Sequence, residues 1–348
     1  MPAAKRYLFY ISQNYSFAIL RPVQKAVQER GGDVAWFVEG DAVNADFFSA
    51  DDIRLPSVDA IYDFNPDAIL YPANTAPTFL PGINVAVFHG FDAGKVDRKG
   101  RNDHFKVRNC FDLYCTQGPS STRPFEALQE KHPHFRIAQT GWCALDSLFQ
   151  ALPPAQENPK RRILMCSTFS KKLSCARVVF EKVKALSATG RWQWTIQFHP
   201  KMERATVELY KSIESEHLTF VETSDVIPLL QDADIMLCDT SSVLIMFALL
   251  QKPIVTFNNV QPQDYMINVT HVNELERALA DALSYPPAVL SALADFAADT
   301  HPLQDGQSSG RVLDAIDATL ADPPARKKPR DLVRQFKMRK KLNYWKLR

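Results

Sequence analysis

Apolar residues along this chain come in two textures. Short continuous runs suit strands buried on both faces, and longer stretches with apolar positions three or four apart suit helices. Arg6 to Ser12 reads as a first strand, Phe17 to Gln28 as a helix stopped by Gly31 and Gly32, and Asp33 to Val38 as a second strand. That order implies parallel pairing. Further strands are expected at Ala68 to Leu70, Asn84 to Phe88, Asp112 to Thr116 and Ile137 to Thr140, with a helix running through Lys131 and a short one containing Asp146. Pro153 to Pro159 is rich in proline and lacks periodicity, so it reads as a linker. Beyond it, strands at Arg162 to Cys166, Trp194 to Phe198, Leu218 to Val221 and Asp234 to Cys238 alternate with helices at Ala176 to Leu186, Val207 to Ser215, Val226 to Leu230 and Val243 to Leu250. His271 to Leu283 and Val312 to Leu320 close the alternation. The expected fold is α/β: two doubly wound Rossmann-like domains facing a cleft, at 1–152 and 153–322, followed by a tail at 323–348.

The length of 348 residues and the 46% hydrophobic content fit two ordinary domains. A net charge of +2 conceals an asymmetry: residues 325–348 carry eleven Lys or Arg against one acid, Asp331, which leaves the remainder at −8. The six cysteines form no CxxC pair, so they read as reduced core thiols of a cytoplasmic protein. Tyr7 to Ile11 is too short for a signal-peptide core or a membrane span.

The chain has no GxGxxG after a strand, no GxxxxGK[ST], no HExxH and no GxSxG. Asp232 and Asp234 have the form of a metal-binding DxD, yet they sit at a helix end and a strand start and read as solvated boundary charge; no metal site is expected. His89 and His199 each terminate an apolar strand, the edge where α/β sheets bind ligands. One imidazole could take a proton from a hydroxyl while the other holds a phosphate oxygen. Asp239, Thr240, Ser241 and Ser242 lie between a buried strand and an apolar helix, where hydroxyls and first-turn N–H groups suit an anion, although capping alone would explain them. Asp305 to Arg311 places small residues and an arginine before a helix, which also suits phosphate or an ordinary cap. His104, His132, His134, His217 and His301 read as inert.

Phe88-His89-Gly90 with Lys95, Thr140-Gly141-Trp142 with Asp146, His199-Pro200, Asp239 to Ser242, and Asp305-Gly306 with Ser308, Ser309 and Arg311 occur in that order. Together, across residues 83 to 315, they resemble the CDP-glycerol glycerophosphotransferase family, which includes teichoic acid primases and polymerases. The resemblance implies a GT-B-type fold, a CDP-linked polyol donor, a glycan or lipid-linked acceptor, release of CMP and no cofactor or obligatory metal. It makes His89 the base, with Gly90 and Lys95 on the acceptor side. His199, Ser241, Ser242 and Arg311 would hold the donor diphosphate, with Asp239, Thr240, Ser308 and Ser309 beside them. The chain has Phe-His-Gly-Phe-Asp-Ala-Gly-Lys where the family commonly has Trp-His-Gly-Thr-Pro-Leu-Lys, a difference on the acceptor side. Two other readings stay open: a nucleotide-sugar glycosyltransferase or epimerase on the same fold, and a non-catalytic nucleotide-binding scaffold.

In the tail, Leu332 with Phe336, and Met338 with Leu342 and Trp345, fall at helical spacings among many cations. Such a basic amphipathic segment could lie on an anionic membrane, each cation contributing on the order of 1 kcal/mol. It could equally pack on the N-terminal domain. No nucleic-acid partner is expected, since the body is acidic.

Overall fold

The first strand, β1 (Arg6–Ile11), is buried on both faces, which is why its sequence is a continuous apolar run rather than an alternation. Tyr7, Phe9 and Ile11 enter one core cluster, and Leu8 and Tyr10 enter the cluster on the other side of the sheet. The structure is a computed structural model and describes residues 4–92, 100, 102–150, 160–223 and 225–346. α1 (Ser16–Glu29) covers the first of those faces through Ile19, Leu20, Val23 and Val27. β2 (Asp33–Val38), β3 (Ile53–Arg54), α2 (Val58–Phe64), β4 (Ala68–Tyr71), β5 (Ile83–Ala86), β6 (Leu113–Thr116), α3 (Pro119–Gln129) and β7 (Arg136–Gln139) follow. The seven strands are all parallel, in the order β3-β2-β1-β4-β5-β6-β7. Their order reverses between β1 and β4, so the carboxyl edge there is the topological switch point.

The second sheet contains β8 (Arg162–Ser167), β9 (Gln193–Phe198), β10 (Leu218–Phe220), β11 (Ile235–Cys238), β12 (Ile254–Phe257) and β13 (Met266–Val269). It too is all parallel, ordered β10-β9-β8-β11-β12-β13, with its switch point between β8 and β11. Helices α4 (Ala176–Ala188), α5 (Arg204–Lys211), α6 (Ile227–Asp232), α7 (Val243–Leu249), α8 (Leu275–Leu283) and α9 (Pro287–Thr300) accompany it. The core gathers Trp194, Ile196, Ile235 and Leu237 from the strands with Val179 and Val183 from α4. The α/β reading with two doubly wound sheets is met. β12, β13 and α9 have no counterpart in the sequence reading, and the helix expected from His271 begins at Leu275 after one tight turn.

The expected boundary at residue 322 is corrected. Residues 300–348 group with 1–150, and the second unit is 151–299. α10 (Ser308–Ala321) buries Val312, Leu313 and Ile316 in the same cluster as Ile19, Leu20, Val23 and Leu113. Arg30 pairs with Asp314 at 2.7 Å and Lys5 with Asp317 at 2.5 Å, tying the returning helix to α1 and β1. Helical periodicity shows that a face is buried but not against which sheet. The tail also rejoins the first unit, through α11 (Leu332–Lys341). The expected linker at 153–159 lies outside the described residues.

All six cysteines are free and buried. Among the described residues no helix is long and apolar enough to cross a membrane.

Candidate functional site

In the first unit the chain leaves β5 and turns at Phe88, which adopts φ +56, a left-handed conformation that costs a non-glycine residue about 1 kcal/mol. Burial repays it: the Phe88 ring is 6% exposed and stacks on His104 at 5.0 Å. The turn carries His89 out to the surface, 5.8 Å ring to ring from Tyr15, which follows β1 at the switch point. The carbonyls on either side of His89 are both held. Trp142 Nε1 donates to the Phe88 oxygen at 3.4 Å, and Gln117 Nε2 donates to the Gly90 oxygen at 2.9 Å. His89 is therefore an exposed imidazole on a fixed backbone, as a base needs. Lys95 lies outside the described residues.

Trp142 is fixed in turn. Its backbone N–H donates to His301 Nε2 at 2.8 Å, and His301 is fully buried, stacked on Phe149 at 5.4 Å. Burial pushes the His301 imidazole down to about 4, so it is neutral near pH 7 with its proton on Nδ1. Gly141 has φ +79, and a Cβ there would lie 2.4 Å from Ser308 Oγ and 3.0 Å from His301 Nε2. Only glycine fits that approach. Asp146, also buried, accepts from the backbone N–H groups of Ser308 and Ser309 at 2.8 Å each. The motifs around 89, 141, 146 and 308 thus form one scaffold behind His89.

This corrects the assignment of Ser308 and Ser309 to the donor phosphates. Both side chains are at most 3% exposed, and the helix-start N–H groups that would bind an anion already hold the Asp146 carboxylate. Arg311 forms a bidentate pair with Asp305, which holds the Asp305 carboxyl below its usual range. His301 and His104, read as inert, instead support the His89 turn. Neither role has a local sequence signal, because each depends on contacts between distant segments.

In the second unit, His199 follows β9 and is exposed. Its Nδ1 accepts from the Lys201 backbone N–H at 3.1 Å, which leaves Nε2 to carry the neutral ring's proton outward. Partial burial, then the charge of Lys201, lowers its pKa. Phe169 packs on the ring at 4.5 Å. A cleft of about 370 Å³ opens beside it, lined by Phe198, His199, Pro200, Val207, Phe220, Val221, Glu222 and Thr223.

Asp239 is a second correction. The residue is fully buried at the β8–β11 switch point and accepts from Ser167 Oγ at 2.5 Å, Thr168 N at 3.1 Å and Cys175 N at 3.0 Å. Burial raises its pKa and these donors oppose that shift. It therefore shapes the loop after β8 and has no free oxygen edge for a donor. Thr240 and Ser241 are half-buried and Ser242 is exposed at the start of α7, where Thr240 Oγ1 accepts from Val260 N. Asp232 pairs with Arg162, and Asp234 accepts from the Arg162 backbone N–H at 2.7 Å, which accounts for the DxD as boundary charge.

Two all-parallel sheets with flanking helices place the chain among GT-B-like α/β proteins. Residues 170–318, under half of the chain, match the model of the CDP-glycerol:poly(glycerophosphate) glycerophosphotransferase family, the family that the motifs resemble. The match encloses His199 and 239–242 and begins beyond His89. Among solved structures, wall teichoic acid polymerase TagF is similar with TM-score 0.58 and 15% identity, over 91% of this chain and 90% of that one. UDP-GlcNAc 2-epimerase from Neisseria meningitidis, bound to UDP-GlcNAc, is similar with TM-score 0.60 and 14% identity, over 90% and 100%. MnaA from S. aureus in a co-structure with UDP gives TM-score 0.61 and 15% identity, over 94% and 100%. At such identities the likeness concerns the fold. No curated protein matches the chain.

Proposed function

We propose that this protein is a phosphotransferase that moves glycerol phosphate, or a related polyol phosphate, from a CDP-linked donor to a hydroxyl of a cell-surface glycan or lipid-linked acceptor. The observation that carries the reading is the family match over residues 170–318, which encloses the outward-facing His199 and its cleft. In this reading His89 takes the proton of the acceptor hydroxyl. The acceptor oxygen then attacks the phosphorus that carries the polyol, the bond from that phosphorus to the oxygen bridging it to CMP breaks, and CMP leaves with the bonding pair. Charge on the phosphate oxygens is met by the Nε2–H of His199 and by the hydroxyls of Thr240, Ser241 and Ser242. The aromatic walls of the cleft beside His199 suit the cytidine.

CMP release from CDP-glycerol, assayed with a membrane or glycan extract as acceptor, tests this. His89→Ala is expected to lower kcat by about 100-fold or more, as for loss of a general base, with the donor KM little changed. His199→Ala is expected to raise the donor KM as well. The fold neighbours named as UDP-GlcNAc 2-epimerases supply the competing reading. Consumption of UDP-GlcNAc with CDP-glycerol untouched would replace the proposal by that chemistry, and tight CDP-glycerol binding without turnover would replace it by a non-catalytic module.

A further inference from the structure

The tail divides its side chains between two faces. Tyr344 is 5% exposed and stacks on Tyr62 at 5.8 Å and Phe79 at 6.1 Å, while Arg339 lies over the Phe79 ring at 4.2 Å. Lys328 pairs with Asp112, Lys341 with Glu39 and Lys346 with Asp59, so the inner face is riveted to the first unit. The outer face is apolar and bare. Leu332 is 70% exposed, Val333 67%, Phe336 59% and Trp345 52%, and the Phe336 and Trp345 rings touch at 5.3 Å. Lys337 and Lys340 stand exposed on the same side of α11, and Arg326, Lys327 and Arg330 precede it; none of these five makes an ion pair among the described residues.

We infer that this outer face docks the first unit onto an anionic lipid bilayer. A patch that unites exposed aliphatic and aromatic side chains with unpaired cations matches an interface whose headgroups are negative and whose acyl boundary is apolar. The charge argues for that occupant: the tail is the basic segment of a chain whose remainder is at −8, so a negatively charged surface is drawn to this face and repelled elsewhere. Because the inner face is anchored by Tyr344 and the lysine pairs, docking needs no detachment of the tail. The inference stands apart from the donor chemistry, and its test uses no turnover.

The experiment is co-sedimentation of the full chain with phosphatidylcholine vesicles and with vesicles of phosphatidylcholine and phosphatidylglycerol, followed also by tryptophan emission. Trp36, Trp192 and Trp194 are buried and Trp142 is partly buried with its Nε1 held by the Phe88 carbonyl, so a blue shift on the anionic vesicles that is lost in Trp345→Ser reports the exposed Trp345. The expected result is binding to the anionic vesicles at least tenfold stronger than to neutral ones, with a blue shift. Phe336→Ser with Trp345→Ser, and separately Lys337→Glu with Lys340→Glu, should each weaken it about tenfold while leaving the unfolding midpoint in place. Equal binding to neutral vesicles, no binding, or variants that bind like the parent would overturn the inference. So would retention on heparin without any blue shift on vesicles, which would assign the face to a soluble polyanion.

Discussion

Each unit keeps a buried aspartate at the carboxyl edge of its sheet, and the two do different work. Asp146 reaches a helix start 162 residues along the chain, at Ser308, and so closes the first unit around its own C-terminal return. Asp239 accepts from Ser167, Thr168 and Cys175 and sets the loop at the β8–β11 switch point. In both cases a carboxylate fills N–H groups that a phosphate could otherwise take. An Asp beside hydroxyls at a strand end therefore signals a held loop as readily as a ligand site. On the adjoining turn of each unit stands an exposed imidazole, His89 or His199, the group to which the proposed function gives the substrate.

The comparison can be broken most severely at Asp239. Asp239→Ala strands buried donors and should cost about 3 to 5 kcal/mol by urea denaturation, while Asp146→Ala, with two backbone donors freed, should cost about 2 to 3 kcal/mol. A smaller loss at Asp239 than at Asp146 would reverse that ranking. Gly141→Ala combines a left-handed φ with a Cβ 2.4 Å from Ser308 Oγ, and about 2 kcal/mol of destabilisation is expected. Combining it with Ser308→Gly should recover part of that loss, since the clash is relieved and the φ strain is not. A fully additive double variant would show that the two residues do not press on each other.

The most diagnostic effect concerns pH and vanishes near pH 7. The folded pKa of His301 is below its ordinary value, so the unfolded chain binds the proton more readily between about 6.5 and 4. Stability from this residue is full above pH 6.5 and is lost as pH falls, by up to about 3 kcal/mol at pH 4. His301→Gln keeps an acceptor for the Trp142 N–H without that titration. Its stability should fall less over pH 6.5 to 4, with kcat at pH 7 within about threefold of the parent, whereas His301→Leu should lower kcat by loosening the Trp142 hold on the His89 turn. Parallel acid limbs for the parent and His301→Gln would mean that His301 does not govern the acid sensitivity of the first unit.

Strand and helix types were legible because both sheets are covered on two faces, which writes them as uninterrupted apolar runs such as Leu8-Phe9-Tyr10 and Ile235-Met236-Leu237. The strand-end positions of His89 and His199 were equally legible, since Phe88 and Pro200 mark where the runs stop. The boundary was not: Val312, Leu313 and Ile316 announce a buried face, and nothing local says that α1 rather than α8 receives it. Nor were the occupants of Ser308, Ser309 and Asp239, whose partners are 64 to 163 residues away.

The sequence by itself therefore determined the α/β class, the parallel strands, the two exposed histidines and the basic tail, because each is a matter of local periodicity, residue type or net charge. The tertiary structure alone decided which unit owns α10, that Asp146 and Asp239 fill the anion-shaped ends of their own loops, and which face of the tail is left bare. Those are long-range hydrogen bonds and contacts, and a buried donor is satisfied by whatever the fold brings to it, not by its neighbours along the chain.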